Sequence, residues 1–328
     1  SNTFWEKSMQ NPILALIVPC YNEEAVLEST IKRLLEVLNE LSTSKVVSPE
    51  SFRFLVDDGS ADKTLDIIER YHILYPSKVK AISFVKNFGN QKAILAGLLE
   101  VRKFKFDCCI TIDADLQQDE NKISEFVQKF KDGNELVYGV KIQRNDTSFI
   151  KKFCAVSFYK LMNLLGAKTC PNHSEYRLVS RGLVDVLAEY SERNIFLRGV
   201  FQEIGHNPAI VYYDVKKRMA GVSKFSMLDL FSLAIQGITS FSTVPLRLVT
   251  YTGIFISFFA FLLGISVVIE KIFNLSNIDV PGWATLVVAI TFIGGIQILS
   301  IGIIGEYLGQ IFTEVKSRPR YIVGKEIN

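Results

Sequence analysis

The chain has 328 residues, more than a single hydrophobic core ordinarily holds, so at least two structural units are expected. Its 37 basic and 34 acidic residues leave a net charge of +3, which excludes the strongly basic field of a nucleic-acid-binding protein. A hydrophobic fraction of 48% excludes a disordered chain, and two long uncharged runs beyond residue 245 exclude one that is soluble along its whole length.

Residues 13–18 (ILALIV) form an apolar run ending at Pro19, the pattern of a buried strand. Over 23–41 the apolar residues Val26, Leu27, Ile31, Leu34, Leu35 and Leu38 recur at a helical period. The alternation continues with a strand at 52–56, a helix at 62–74, a strand at 79–85, a helix at 93–101 and a strand at 108–112. It predicts an α/β fold, Rossmann-like, with a mostly parallel sheet and helices on both faces. Such sheets bind ligands at the carboxyl ends of their strands.

Those strand ends carry Pro19-Cys20-Tyr21-Asn22-Glu23-Glu24, then Asp57-Asp58-Gly59-Ser60-Ala61-Asp62, then Lys86-Asn87-Phe88-Gly89, then Asp113-Ala114-Asp115-Leu116-Gln117. Neither GxGxxG nor GxxxxGK[ST] is present, so neither a dinucleotide fingerprint nor a P-loop is read. Ser60 and Asp62 have a purely structural reading as caps of the following helix. Asp113 and Asp115, one residue apart at the end of an apolar strand, repel each other unless a cation lies between them. Their hard oxygens suit Mg²⁺ or Mn²⁺ bridging to a diphosphate. The five cysteines form no CxxC pair and read as reduced, buried thiols.

Two stretches have the composition of helices lying at a membrane surface, with a buried core helix as the alternative. They are 149–165, apolar with three lysines, and 225–243, apolar with Asp229 as its one acid and followed by Pro245. Residues 249–269 and 284–305 carry no charge, and about 20 apolar residues suffice to cross a bilayer. Lys216, Lys217, Arg218, Lys224 and Arg247 precede the first run, and Lys316, Arg318, Arg320 and Lys325 follow the second. The connection between them holds one basic residue, Lys271, and Trp283 sits at an interface position. The basic bias places both termini and the α/β part on the cytoplasmic side of a multi-pass hairpin in the cell membrane. Gly294, Gly295, Gly302, Gly305 and Gly309 would permit close helix approach and an oligomer.

In sequence, PCYNEE, DDGSADKT and DAD resemble the strand-end motifs of family 2 glycosyltransferases, which carry a GT-A nucleotide-sugar-binding domain. Glu175-Tyr176-Arg177-Leu178, Phe196-Leu197-Arg198-Gly199 and Arg218-Met219-Ala220-Gly221-Val222-Ser223-Lys224 are similar to the polyprenyl-phosphate subgroup, relatives of dolichyl-phosphate mannose synthase. The segments Gly305-Glu306-Tyr307-Leu308-Gly309 and 314–319 resemble the two-helix bacterial members that make undecaprenyl-phosphate glucose. The likeness runs in order from about residue 13 to 323.

That resemblance implies a catalytic domain at 11–224 containing an interfacial helix at 149–165, a juxtamembrane helix at 225–245, spans within 246–305 and a cytoplasmic tail at 306–328. It implies that Pro19, Tyr21, Glu23, Asp58 and Lys86 line the nucleotide, with Asp113 and Ala114 closing its pocket. Asp115, Gln117 and Asp113 would hold Mg²⁺ or Mn²⁺, and Arg177, Arg198, Arg218 and Lys224 would face the acceptor and leaving-group phosphates. Asp113, Asp115, Glu175 and Arg177 form the expected catalytic set, and a homotetramer is implied. Glu175 stands where many relatives have Asp, Lys86 where Arg is common and Val215 where a further Arg is common. These departures concern sugar and acceptor contacts.

The expected activity is inverting transfer of a hexose, UDP-glucose leading, to a polyprenyl phosphate, with GDP-mannose or a modified UDP-sugar as the alternative donor. A phosphate monoester is mostly dianionic at pH 7 and needs charge management more than a general base. A processive polysaccharide synthase would carry Q-x-x-R-W, and neither Trp5 nor Trp283 follows an Arg. A membrane scaffold on an inactive transferase fold would have no need of intact Asp113, Asp115 and Gln117.

Overall fold

The computed structural model describes residues 11–142, 173–193, 195–206, 208–215, 244–273 and 282–328. The expected surface helix at 149–165, most of that at 225–245, and Arg218 and Lys224 lie outside the described residues. The chain divides into two compact units, one holding the sheet and residues 318–328, the other holding the two long helices.

The first unit is built on an eight-stranded sheet. In chain order its elements are β1 (Leu14–Cys20), α1 (Leu27–Thr43), β2 (Phe52–Asp57), α2 (Thr64–Leu74), β3 (Val79–Phe84), α3 (Asn90–Glu100), β4 (Cys108–Thr111), α4 (Ile123–Lys131), β5 (Leu136–Lys141), β6 (His173–Ser180), α5 (Arg181–Glu189), α6 (Leu197–Ile204) and β7 (Ala209–Tyr213). Spatially the strands run β7-β5-β6-β4-β1-β2-β3, and a last strand, β8 (Val323–Ile327), completes the far edge. Strands β4, β1, β2 and β3 are parallel, β5 and β7 are parallel, and β6 runs antiparallel between β4 and β5.

Every residue of β1 is buried, as expected of an apolar strand covered on both faces. Helix α1 buries the stripe Leu27, Ile31, Leu34, Leu38 and Leu41. Helix α3 buries six consecutive residues, Ala93 to Leu98, and lies close on the sheet because Gly97 has no Cβ, which would fall 2.3 Å from Ile17 Cγ2. Cys20 stands opposite Asp57, and Thr111 stands opposite both Ile17 and Arg177, so the motif-bearing loops emerge along one rim. Cys20, Cys108 and Cys109 are buried free thiols.

The tail expected from residue 306 divides between the units. Residues up to Val315 prolong a helix, whereas Val323–Ile327 pairs antiparallel with β3. Alternation in so short a polar segment is a weak signal, and tertiary contacts supply the rest. Tyr321 stacks on Phe84 with ring centroids 5.3 Å apart and donates to Glu100, and Lys325 meets Glu69 at 2.7 Å.

The second unit contains α7 (Val244–Phe273) and α8 (Trp283–Val315), 30 and 33 residues long. Both exceed the uncharged runs 249–269 and 284–305, because a helix continues while its backbone bonds can be made. Hydroxyls within them are satisfied locally: Thr252 donates to the Leu248 carbonyl at 2.8 Å, and Ser300 to that of Ile296 at 2.8 Å. Among the described residues one stretch, Phe292–Val315, is long and apolar enough to cross a membrane, and Leu246–Ile256 is a shorter apolar helix. At each of the five α8 glycines an added Cβ would meet nothing within 4 Å among the described residues.

Candidate active site

The loops after β1 and β2 are joined side chain to backbone. Asn22 N–H donates to Ser60 Oγ at 2.9 Å, and Ala61 N–H donates to Asn22 Oδ1 at 2.9 Å. Glu23 N–H donates to Thr64 Oγ1, while Glu24 and Asp62 exchange contacts with the backbones of Lys63, Glu24 and Thr64. Much of the PCYNEE and DDGSADKT motif chemistry is therefore structural, and it fixes the wall on which Pro19 and Tyr21 sit. Pro19 is buried in β1, and Tyr21 is exposed at its end.

Asp57 and Asp58 are both buried and both occupied. Asp57 accepts from Ser83 Oγ at 2.6 Å and from the Ser60 N–H at 3.1 Å. Asp58 accepts from the N–H groups of Phe88 and Gly89 at 2.6 and 2.9 Å, tying the Lys86–Gly89 loop to the end of β2. Burial raises its carboxyl above the ordinary range, and the two backbone donors oppose that shift. Gly59 is required here: φ is +67°, and a Cβ would lie 2.3 Å from the Lys86 carbonyl carbon. Lys86 is exposed, with its ammonium 5.5 Å from the Phe88 ring centroid.

After β4 the chain turns sharply, with Leu116 at φ +49°. Ala114 is buried, and its carbonyl accepts from Thr30 Oγ1 on α1 at 2.5 Å. Asp115, half-buried, accepts from the Gln117 N–H at 3.2 Å. Gln118, buried and absent from the sequence reading, grips Asp113 twice: its amide nitrogen donates to Asp113 Oδ2 at 2.6 Å, and its oxygen accepts from the Asp113 N–H at 2.9 Å. The doubled Gln in DADLQQD is the signal that could have revealed it, since adjacent residues on a turn take opposite sides. Burial pushes the Tyr213 phenol up to about 12, with a contribution from the Asp113 charge.

Behind this rim, β6 supplies Glu175. Its Oε1 accepts from Gln91 Nε2 at 3.0 Å and Arg198 Nε at 2.8 Å, and its Oε2 is bonded to Arg177. Burial is the largest influence and raises the carboxyl, but Arg177 and Arg198 together hold it at about 2. Glu175 is thus ionised and fully engaged at neutral pH, the state of an anchor and not of a general base. Arg177 is fully buried, its guanidinium 4.9 Å from the Phe201 ring centroid and its Nε and Nη1 without a partner among the described residues. It lies beneath the rim and supports Glu175, whereas Arg198 is a third exposed.

Asp113, Ala114, Asp115 and Gln117 thus share one turn, and Glu175, Arg177 and Arg198 form a separate ion cluster tied to it through Thr111, whose hydroxyl bonds the Glu175 carbonyl. Among the described residues no three His, Cys, Asp or Glu side chains converge on a metal position. Two carboxylates with an amide still fit a hard divalent ion of the Mg²⁺ type, which keeps waters and takes its remaining ligands from phosphates.

Residues 15–187 match the glycosyl transferase family 2 model. The chain is 43% identical to the uncharacterized glycosyltransferase YkoT of Bacillus subtilis, over 95% of this chain and 91% of that one. It is 36% identical to the SfII prophage-derived bactoprenol glucosyl transferase of Shigella flexneri, over 95% of this chain and 97% of that one. Glucosyl-3-phosphoglycerate synthase of Mycobacterium tuberculosis, solved with uridine diphosphate, aligns at a TM-score of 0.48 and 18% identity, covering 74% of this chain and 83% of that one.

Proposed function

We propose that this chain, which belongs to glycosyl transferase family 2, moves glucose from UDP-glucose onto a polyprenyl phosphate with inversion at the anomeric carbon. The observation that carries the reading is the end-to-end likeness to a bactoprenol glucosyl transferase, which spans the sheet unit and the long helices alike. The acidic turn after β4 supports it, since a nucleoside diphosphate leaving group needs charge neutralisation where Asp113 and Asp115 stand.

In this reading a phosphate oxygen of the acceptor attacks the anomeric carbon, the bond from that carbon to the nucleotide's β-phosphate oxygen breaks, and UDP departs with the electron pair. Asp113, Asp115 and Gln117 would hold Mg²⁺ or Mn²⁺, which would supply positive charge to the leaving diphosphate. Gln118 keeps Asp113 oriented for that task. No group need abstract a proton from a dianionic nucleophile, which agrees with a Glu175 locked in its ionised form. Tyr21 and the Asp58-held loop border the nucleotide, and Arg198 faces a phosphate.

Helices α7 and α8 would form a two-span anchor with the sheet unit and both termini in the cytoplasm. Arg218 and Lys224 would meet the acceptor phosphate, and the glycines of α8 are available for packing in a homotetramer. Offering UDP-glucose, GDP-mannose and modified UDP-sugars in parallel with undecaprenyl phosphate tests the donor. A single-sugar lipid of inverted anomeric configuration from UDP-glucose alone is expected. Polymeric product would indicate a synthase, and nucleotide binding without transfer would indicate a scaffold.

A further inference from the structure

The last strand of the sheet reaches the rim of the candidate site through three aromatic rings. Tyr321 stacks on Phe84 at the end of β3, with ring centroids 5.3 Å apart and planes at 19°. Phe84 in turn meets Phe88 edge to face, at 5.6 Å and 87°. Phe88 lies on the loop between β3 and α3, where its N–H and that of Gly89 donate to the two oxygens of Asp58 at 2.6 and 2.9 Å. Asp58 thus holds this loop by its backbone, and Phe84 holds it by the Phe88 ring. Because Phe84 is buried in close packing, a change on its Tyr321 side is felt on its Phe88 side.

Tyr321 is itself fixed by contacts around it. Its hydroxyl donates to Glu100 Oε1 at 2.9 Å, and Lys103 joins the other Glu100 oxygen to Glu326 of β8 with two contacts of 2.8 Å. The residue before it, Arg320, donates to the Tyr190 carbonyl, and the carbonyl of the residue after it, Ile322, accepts from the Val85 N–H at 3.2 Å. That last bond lies just past the point where the register of β3 against β8 shifts, between Ser83 and Phe84. Irregularities of this kind re-aim a side chain at a sheet edge, here the Phe84 ring.

We propose that Tyr321 is a positioning residue for nucleotide binding, acting through Phe84 and Phe88 on the loop that Asp58 holds. The proposal rests on the reading of that loop as a border of the nucleotide. It assigns part of donor binding to a C-terminal strand that lies outside residues 15–187, the stretch matched by the family model. Without the Tyr321 ring Phe84 loses a packing face, Phe88 gains room, and the two bonds to Asp58 open more often.

The test uses the full chain in detergent with two readouts: calorimetric titration with UDP plus Mn²⁺, and amide hydrogen exchange over residues 85–90 without nucleotide. Tyr321→Leu and Phe88→Leu are each expected to weaken UDP about tenfold, the upper end of what one aromatic pair contributes, and to speed exchange at Phe88 and Gly89. Because both act along one line of contacts, the double variant should be little weaker than the weaker single one. Tyr321→Phe keeps the ring and should restore binding. Lys325→Met loosens β8 at Glu69, away from the rings, and should leave UDP within twofold. Where melting curves show Tyr321→Leu to be misfolded, Tyr321→Met, which keeps more of the volume, takes its place. Unchanged UDP affinity in the Tyr321 variant, losses that multiply in the double variant, or an equal loss in Lys325→Met would overturn the proposal and leave the nucleotide reading standing. A wild-type chain that binds no UDP, with exchange still faster in the Tyr321 variant, would overturn the nucleotide reading and leave the positioning of the loop standing.

Discussion

Replacing Glu175 by Gln keeps its shape and removes its charge. Arg177 is fully buried and Glu175 is, among the described residues, the one carboxylate bonded to it, so the substitution strands a guanidinium in the core. Removing one partner of a buried pair costs about 3–5 kcal/mol. The titration argument agrees in size: an ordinary Glu at 4.5 held at about 2 corresponds to about 3 kcal/mol at neutral pH. Because the folded value is the lower one, this stability is fully present above about pH 4.5 and is lost as pH falls toward 2. Denaturant unfolding of the detergent-solubilised chain from pH 7 to pH 3, wild type beside Glu175→Gln, reads both effects. The variant should be less stable by several kcal/mol at pH 7, and the gap should narrow on acidification. A variant within about 1 kcal/mol of wild type at pH 7, or a gap independent of pH, would refute the anchor role.

Gly59→Ala should cost several kcal/mol and weaken nucleotide binding, because its Cβ would fall within 2.8 Å of three backbone atoms of Lys86 and Asn87; UDP titration and a melting curve check this. Gln118→Leu leaves Asp113 without both of its Gln118 contacts, and the apparent affinity for Mn²⁺ in UDP binding should fall about 10–100-fold while the fold persists. Truncation before Arg320 removes β8 and the Tyr321–Phe84 stack, uncovering the β3 edge. A stability loss of about 3–5 kcal/mol and a new tendency to aggregate are expected, read by light scattering during heating.

The parallel half of the sheet was legible because its strands are uninterrupted apolar runs and its helices keep a clear period. The remainder was less so. Strand β6 alternates polar and apolar residues around a buried Glu and Arg, and β8 is a polar segment whose partner lies more than 200 residues away in sequence. At the rim, sequence pattern found Asp113 and Asp115 because two acids separated by one residue at a strand end demand an explanation. It could not distinguish Gln117 from Gln118, nor show that Asp58 is spent on backbone donors, because both depend on which way a loop turns. The meeting of Gln91 and Arg198 on Glu175 escaped notice for a related reason: it joins α3 and α6, elements about 100 residues apart.

The central claim is tested most directly by transfer of radiolabelled glucose from UDP-glucose to undecaprenyl phosphate, with and without a chelator, for wild type and Asp115→Ala. The account predicts a labelled single-sugar lipid from the wild type, lost on chelation, restored by Mg²⁺ or Mn²⁺, and reduced at least a hundredfold in the variant. Full activity in the chelator, or an Asp115→Ala enzyme as fast as wild type, would contradict it.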